Sequence, residues 1–282
     1  MLESNLKRLI ESIDNHRKKK NVCDCNNRWL NNKVQAQEIA KKMPLSVTAS
    51  GFNLESIWEG RCLKSQRCLN NDQPKRMPNG SYTTEYRMGT DDDVFFFAGP
   101  PRYPRNTLPI CLLFGAKIEE THSGTKVATP FDSGGLDKDI FISIENTSHI
   151  DCLRTHEMPV PEYRFYFADW LGTIFEKPLN YLLDETIPSC EIVISVKQKN
   201  PHCDVRRWTF EVRLSKTVGI DKEICAVFVP KEVSSEDWCR EMLLTFVSNN
   251  VHCGIYHTDD GQEAWNAIQS ECLNFIEEYL TK

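Results

Sequence analysis

No apolar run in the 282-residue sequence approaches the roughly 18 residues that a membrane-spanning helix requires, so no membrane segment is expected. The N-terminal stretch MLESNLKRLIESID carries a helical amphipathic pattern and lacks the apolar core of a signal peptide. No segment repeats, and no low-complexity linker divides the chain. Cysteine is sparse for a disulfide scaffold: 12 residues, about 4% against the roughly 8–10% of such proteins. The twelve are scattered without a pair of CxxC units; the close groupings are Cys23 with Cys25, His202 with Cys203, and His252 with Cys253. Tetrahedral metal sites usually declare themselves by two close ligand pairs, so reduced thiols in a cytoplasmic protein, with no metal, are the expectation. The net charge of -6 supplies no global field toward nucleic acid, while local basic patches stay open.

What is there is an ordinary composition, 40% hydrophobic and 26% charged, on a chain long enough for one large domain or two small ones. Leu2, Leu6, Leu9, Ile10 and Ile13 recur at helical spacing and predict a helix over 2–20 that ends in the basic run His16 to Lys20. That run suits a solvated helix end or contact with an acidic partner. A second polar helix is predicted over 27–42, closed by Pro44, and residues 64–86 read as an exposed loop from their turn formers. The pattern then becomes mostly β: 93–98, 109–116, 139–144, 163–168, 191–197, 207–214 and 224–229. Segments 235–248 and 261–280 read as helices, the second with a core stripe of Trp265, Ile268, Cys272, Phe275, Ile276 and Leu280. The expected fold class is α+β, with residues 1–43 a helical extension and residues 44–282 a single domain.

Four stretches could carry chemistry. In LSVTASGFNLESIWEGRCL, residues 45–63, a strand bearing Thr48 leads through a polar turn to a helix, with Ser50 or Asn53 as N-cap candidates and Gly60 as its stop. A polar strand end facing a helix N-terminus can hold a ribose or phosphate, and an ordinary strand–cap–helix unit reads the same way. In PFDSGG, residues 130–135, Asp132 and Ser133 can cap backbone groups, and the two glycines let the main chain approach a ligand. Without a GK[ST] ending it is no phosphate loop. In DVRRWTFEV, residues 204–212, a strand would put Arg207, Thr209 and Glu211 on one face and Trp208, Phe210 and Val212 on the other. That polar row is either an exposed edge or the wall of a cleft. Lastly, VFFFAGPPRY, residues 94–103, drives an apolar strand into two prolines and sets Arg102 and Tyr103 beside them.

Taken in order, NLESIWEG, FFFAGPPRY, PFDSGGL and RRWTFEV resemble an uncharacterised bacterial family that is itself similar to ADP-ribosyltransferases, over roughly residues 45–230. The resemblance implies an ADP-ribosyltransferase-like domain with a mixed or antiparallel β core, NAD as substrate, and a protein or nucleic-acid target. A bacterial toxin or anti-phage effector is the implied setting. Glu211 is the implied catalytic carboxylate, bonding a ribose hydroxyl and stabilising the oxocarbenium-like centre as nicotinamide leaves. Ser46 and Thr48 occupy the strand that grips the adenosine ribose. Arg102 would pair with pyrophosphate through its planar fork, and Tyr103 would stack on a cofactor ring. Asp132 and Ser133 would line the same cleft.

Three positions depart from the family pattern. Ser46, Val47 and Thr48 stand where such folds often carry a ribose-gripping histidine. Arg213 stands where a second acceptor, Glu or Gln, usually follows the glutamate, and GPP replaces GRP. These departures suit a reading from another class: a catalytically silent interaction or sensing module, with a protein partner on its N-terminal helix. A nuclease reading finds no metal–carboxylate constellation to support it.

Overall fold

Apolar periodicity and proline stops account for most elements of the structure, a computed structural model that describes residues 2–18, 25–72, 82–102, 108–134, 141–142, 149–160, 162–183, 197–198, 209–257 and 261–282. Helices α1 (Leu2–Lys18) and α2 (Cys25–Lys42) lead into strand β1 (Leu45–Ser50), helix α3 (Gly51–Gly60) and the short strand β2 (Cys62–Lys64). Next come α4 (Gln66–Asp72), α5 (Tyr82–Met88), β3 (Asp93–Ala98), β4 (Pro109–Phe114), α6 (Ile118–Thr121), β5 (Lys126–Thr129) and β6 (Phe141–Ile142). After α7 (His149–His156), β7 (Met158–Pro159) and α8 (Tyr163–Ile174), a 3₁₀ turn spans Pro178–Leu183. Strands β8 (Lys197–Gln198), β9 (Glu211–Ser215), β10 (Thr217–Gly219) and β11 (Ile224–Pro230) follow, then α9 (Lys231–Ser234), α10 (Asp237–Ser248), β12 (His252–Tyr256) and α11 (Gly261–Thr281).

Eight strands form one mixed sheet in the order β12-β11-β4-β1-β3-β9-β5-β7. All neighbours are antiparallel except β11 with β12, a parallel pair whose crossover is made by α9 and α10. The chain is therefore α+β, as its pattern predicts.

Directly paired residues project on the same face, so the register sorts the side chains. One face is apolar, with Leu45, Phe96, Ala98, Leu112, Phe114, Val212 and Leu214 buried. Helix α8 covers this side: Tyr166, Phe167 and Trp170 pack their rings on Phe210, the residue before β9. On the other face α11 covers the β4–β11–β12 half, where the Phe275 ring packs at a tilt against His252. The β1–β3–β9–β5 half of that face carries Ser46, Phe97, Glu211 and Thr129 in one row.

The first two helices join the same core through Leu9, Ile13, Ala36, Ile39 and Ala40, with Met43 just beyond α2. Gly172 of α8 lets α2 approach, since a Cβ there would come within 2.6 Å of the Trp29 ring.

Several expectations are corrected. Residues 163–168 read as a strand, but Tyr163–Ile174 is a helix. Its residues are buried around most of the circumference, so aromatic content outweighed a helical period that is not visible. Within the expected loop at 64–86, two helices form, α4 and part of α5. Gln66 donates to Asn70 one turn on, and Arg67 grips Asp91 with two bonds of 3.0 and 2.7 Å, which holds the turn formers helical. Helix α3 starts after Ser50 without a side-chain cap bond and ends at Gly60 as expected, but the left-handed residue that caps it is Arg61, φ 52°. Strands β5 and β12 have no counterpart in the pattern reading. The expected strands at 139–144 and 191–197 lie mostly outside the described residues.

Candidate active site

Residue Glu211 opens β9, which lies between β3 and β5, so the row read as a possible exposed edge is interior. Thr209, Phe210 and Glu211 are all buried, and Arg207 and Trp208 lie outside the described residues. Across the sheet Ser46 faces Phe97, Phe97 faces Glu211, and Glu211 faces Thr129. Ser46 Oγ donates to the Phe97 carbonyl at 3.2 Å, fixing that hydroxyl within the row.

The turn after β5 folds back over the carboxylate. Thr129 Oγ1 donates to the Phe131 carbonyl at 2.8 Å, and the Gly134 N–H donates to Asp132 Oδ1 at 2.6 Å. These local bonds shape PFDSG so that the Ser133 N–H and Oγ both donate to Glu211 Oε2, each at 3.1 Å. Asp132, Ser133 and Glu211, distant in sequence, thus converge.

Two residues along the strand, Arg213 shares the face of Glu211. It is fully buried, with Nη2 donating to Glu157 Oε1 at 2.6 Å and Nη1 lying 3.5 Å from Asp93 Oδ2. Its Nε stands 3.2 Å from Glu211 Oε1, within ion-pair range but without the alignment of a hydrogen bond. Glu157 also accepts from Arg154 Nη1 at 2.6 Å.

Burial, reinforced by the charge of Asp132, pushes the Glu211 carboxyl up to about 8; Arg213 and the Ser133 donors pull the other way. Burial likewise raises the Asp93 carboxyl, against the pull of Arg213. Chemically, the cluster is a buried carboxylate with one oxygen capped and the other, Oε1, accepting no hydrogen bond from any described residue.

The remaining expected site residues are placed as follows. Thr48 lies two residues beyond Ser46 on the same face of β1 and is half-buried. Arg102 is only 5% exposed: its Nη2 donates to the Tyr181 carbonyl at 2.8 Å and its guanidinium sits 4.8 Å from the Tyr181 ring centre. The Tyr181 hydroxyl in turn donates to Ala98 O at 2.8 Å, so the AGPPR turn is strapped to the 3₁₀ turn. Gly99 at φ +90° makes that turn possible. Tyr103 lies outside the described residues.

Sequence reasoning did not find Glu157, Asp93 or Arg154, which no motif marks and only packing assembles. For Arg213 the signal existed in strand alternation, two positions from Glu211. Among the described residues no three His, Cys, Asp or Glu are grouped to hold a metal, and no helix is long and apolar enough to cross a membrane. His202 and Cys203 lie outside them. A groove of about 550 Å³ beside the starts of β11 and β12 shares no residue with the Glu211 cluster.

No family model matches the chain, and no curated protein matches its sequence. Solved structures of DarT from Thermus sp. 2.9 are similar in shape. The complex with ADP-ribosylated ssDNA gives a TM-score of 0.42 at 11% identity, covering 76% of this chain and 94% of that one. The NAD+ complex gives 0.40 at 10% identity, covering 76% and 95%. The carba-NAD+ complex gives 0.41 at 11%, again covering 76% and 95%. At such TM-scores the shared shape is loose, and the site rests on its own geometry.

Proposed function

We propose that the chain is an NAD-dependent ADP-ribosyltransferase-like enzyme with Glu211 as its catalytic carboxylate. The observation that carries this reading is Glu211 Oε1: a buried acceptor, beside a guanidinium, that takes no hydrogen bond from any described residue. Buried acceptors are nearly always satisfied, so an unfilled one marks where a ligand donor completes the structure. A ribose hydroxyl is such a donor. With Glu211 ionised, its charge in a low-dielectric site would favour the cationic ribose centre that forms as the bond to nicotinamide breaks.

In this reading Ser46 and Thr48 hold the ribose side of the cofactor, Asp132 and Ser133 frame the carboxylate, and Arg102 and Tyr103 serve the pyrophosphate and a ring. The ADP-ribosyl acceptor is a macromolecule, protein or nucleic acid, and the setting is a cytoplasmic toxin or anti-phage effector. Calorimetric titration with NAD, paired with nicotinamide release by the native chain and Glu211→Gln, tests the reading. Absence of NAD binding at millimolar concentration, or unchanged NAD consumption by the variant, overturns it.

A second reading has one specific observation in its favour. Glu211 is only 1% exposed and Arg102 is engaged by Tyr181, as structural residues of a silent interaction module would be. That module would give no heat with NAD.

A further inference from the structure

We infer that Arg213 is a positioning residue for Glu211, fixing the carboxylate from behind while Glu157 anchors Arg213 in turn. The clearest support is where the guanidinium is held. A guanidinium is a rigid planar fork, so holding two of its nitrogens sets the direction of the third. Nη2 is held by Glu157 Oε1 at 2.6 Å and Nη1 lies 3.5 Å from Asp93 Oδ2, which places Nε 3.2 Å from Glu211 Oε1, an ion-pair contact made without hydrogen-bond alignment. Ser133 grips the opposite oxygen with two donors. The carboxylate is thus held at Oε2 by hydrogen bonds and at Oε1 by the nearby charge alone, with Oε1 still open to a donor.

The anchor is itself secured. Glu157 follows the last turn of α7, where Arg154 donates to it, and α1 grips the same turn: Asn5 donates to Arg154 O at 2.8 Å and Arg8 to Thr155 O at 2.5 Å. A chain of contacts therefore runs from the N-terminal helix through Glu157 and Arg213 to Glu211.

The charged groups acting on Glu211 are Asp132 from the turn after β5 and Arg213 on its own strand; Arg213 in turn meets Asp93 of β3 and Glu157 at the end of α7, which Arg154 also contacts, and His156 of α7 packs on Phe131. Arg213 is the cation in contact, so its removal has a defined sign. The inference rests on Glu211 being the working carboxylate, but the readout is independent of NAD: titration of the ¹³C-labelled Glu211 side-chain carboxyl by NMR, assigned with Glu211→Gln. In Arg213→Met the midpoint should rise by about one pH unit or more, and in Arg213→Lys by less. Should Arg213→Met not fold, Glu157→Gln decides: freeing Arg213 from its competing anion should lower the midpoint. A midpoint unmoved in folded Arg213→Met, or in Glu157→Gln where that variant decides, overturns the inference. If the midpoints move as expected and NAD does not bind, the positioning stands and the proposed activity falls.

Discussion

Ser133 donates twice to a single oxygen of Glu211, from its backbone N–H and its hydroxyl, each at 3.1 Å. One residue thereby saturates Oε2 and leaves Oε1 to whatever the site admits. The asymmetry divides the carboxylate into a held half and an open half.

Exchanging Glu211 for Gln keeps the shape and removes the charge. Nicotinamide release should fall about 100- to 1,000-fold, the usual cost of losing one electrostatic partner of a developing charge. NAD affinity measured by calorimetry should change only a few-fold, because the charge matters chiefly when the cation forms.

The pH dependence should run in opposite directions for stability and for turnover. The folded chain holds the Glu211 proton up to about 8, whereas an ordinary carboxyl gives it up near 4.5. The folded state therefore binds more protons in that window, and the stabilisation present below it is lost as pH rises toward about 8. Turnover needs the ionised form and should climb through the same range to a plateau above it. Denaturant midpoints and nicotinamide release measured from pH 5 to 9 would show both, with Glu211→Gln flattening its share of the stability slope.

Replacing Arg102 with alanine should cost about 1.5–3 kcal/mol of unfolding free energy, since a buried charged donor to Tyr181 O is lost. Urea unfolding measures it. Weakened NAD binding by the same variant would add the pyrophosphate contact proposed for Arg102, and unchanged stability would rule out the structural one.

At Gly172, alanine would drive a Cβ to within 2.6 Å of the Trp29 ring. A rigid indole cannot yield as a flexible side chain would, so about 1–3 kcal/mol of destabilisation is expected. A red shift of tryptophan emission would report the separation of α2 from α8.

Strands β1, β3, β4 and β11 were legible because each is a short apolar run bounded by glycine, proline or polar turns. Helix α8 was not: YRFYFADWLGTI has the aromatic content of a strand, and burial on most sides erases the amphipathic period. HCGIY of β12 is too short to stand out as a strand, and only its adjacent histidine and cysteine mark it. At the site, PFDSG and the strand bearing Glu211 could be read as polar stretches worth attention. Their meeting through Ser133 depends on a sheet order in which β5 lies beside β9, and that order is set by long-range packing. Glu157 reaches Arg213 by the same route.

The interior position of β9 has a consequence for how the protein moves. A strand laddered on both sides exposes its amides to solvent chiefly when the sheet as a whole comes apart, while an edge strand such as β12 can fray alone. In deuterium exchange β9 should be among the slowest segments, with or without a ligand. Any tightening on binding would then register in the amides of Asp132, Ser133 and Gly134, above a floor that does not breathe.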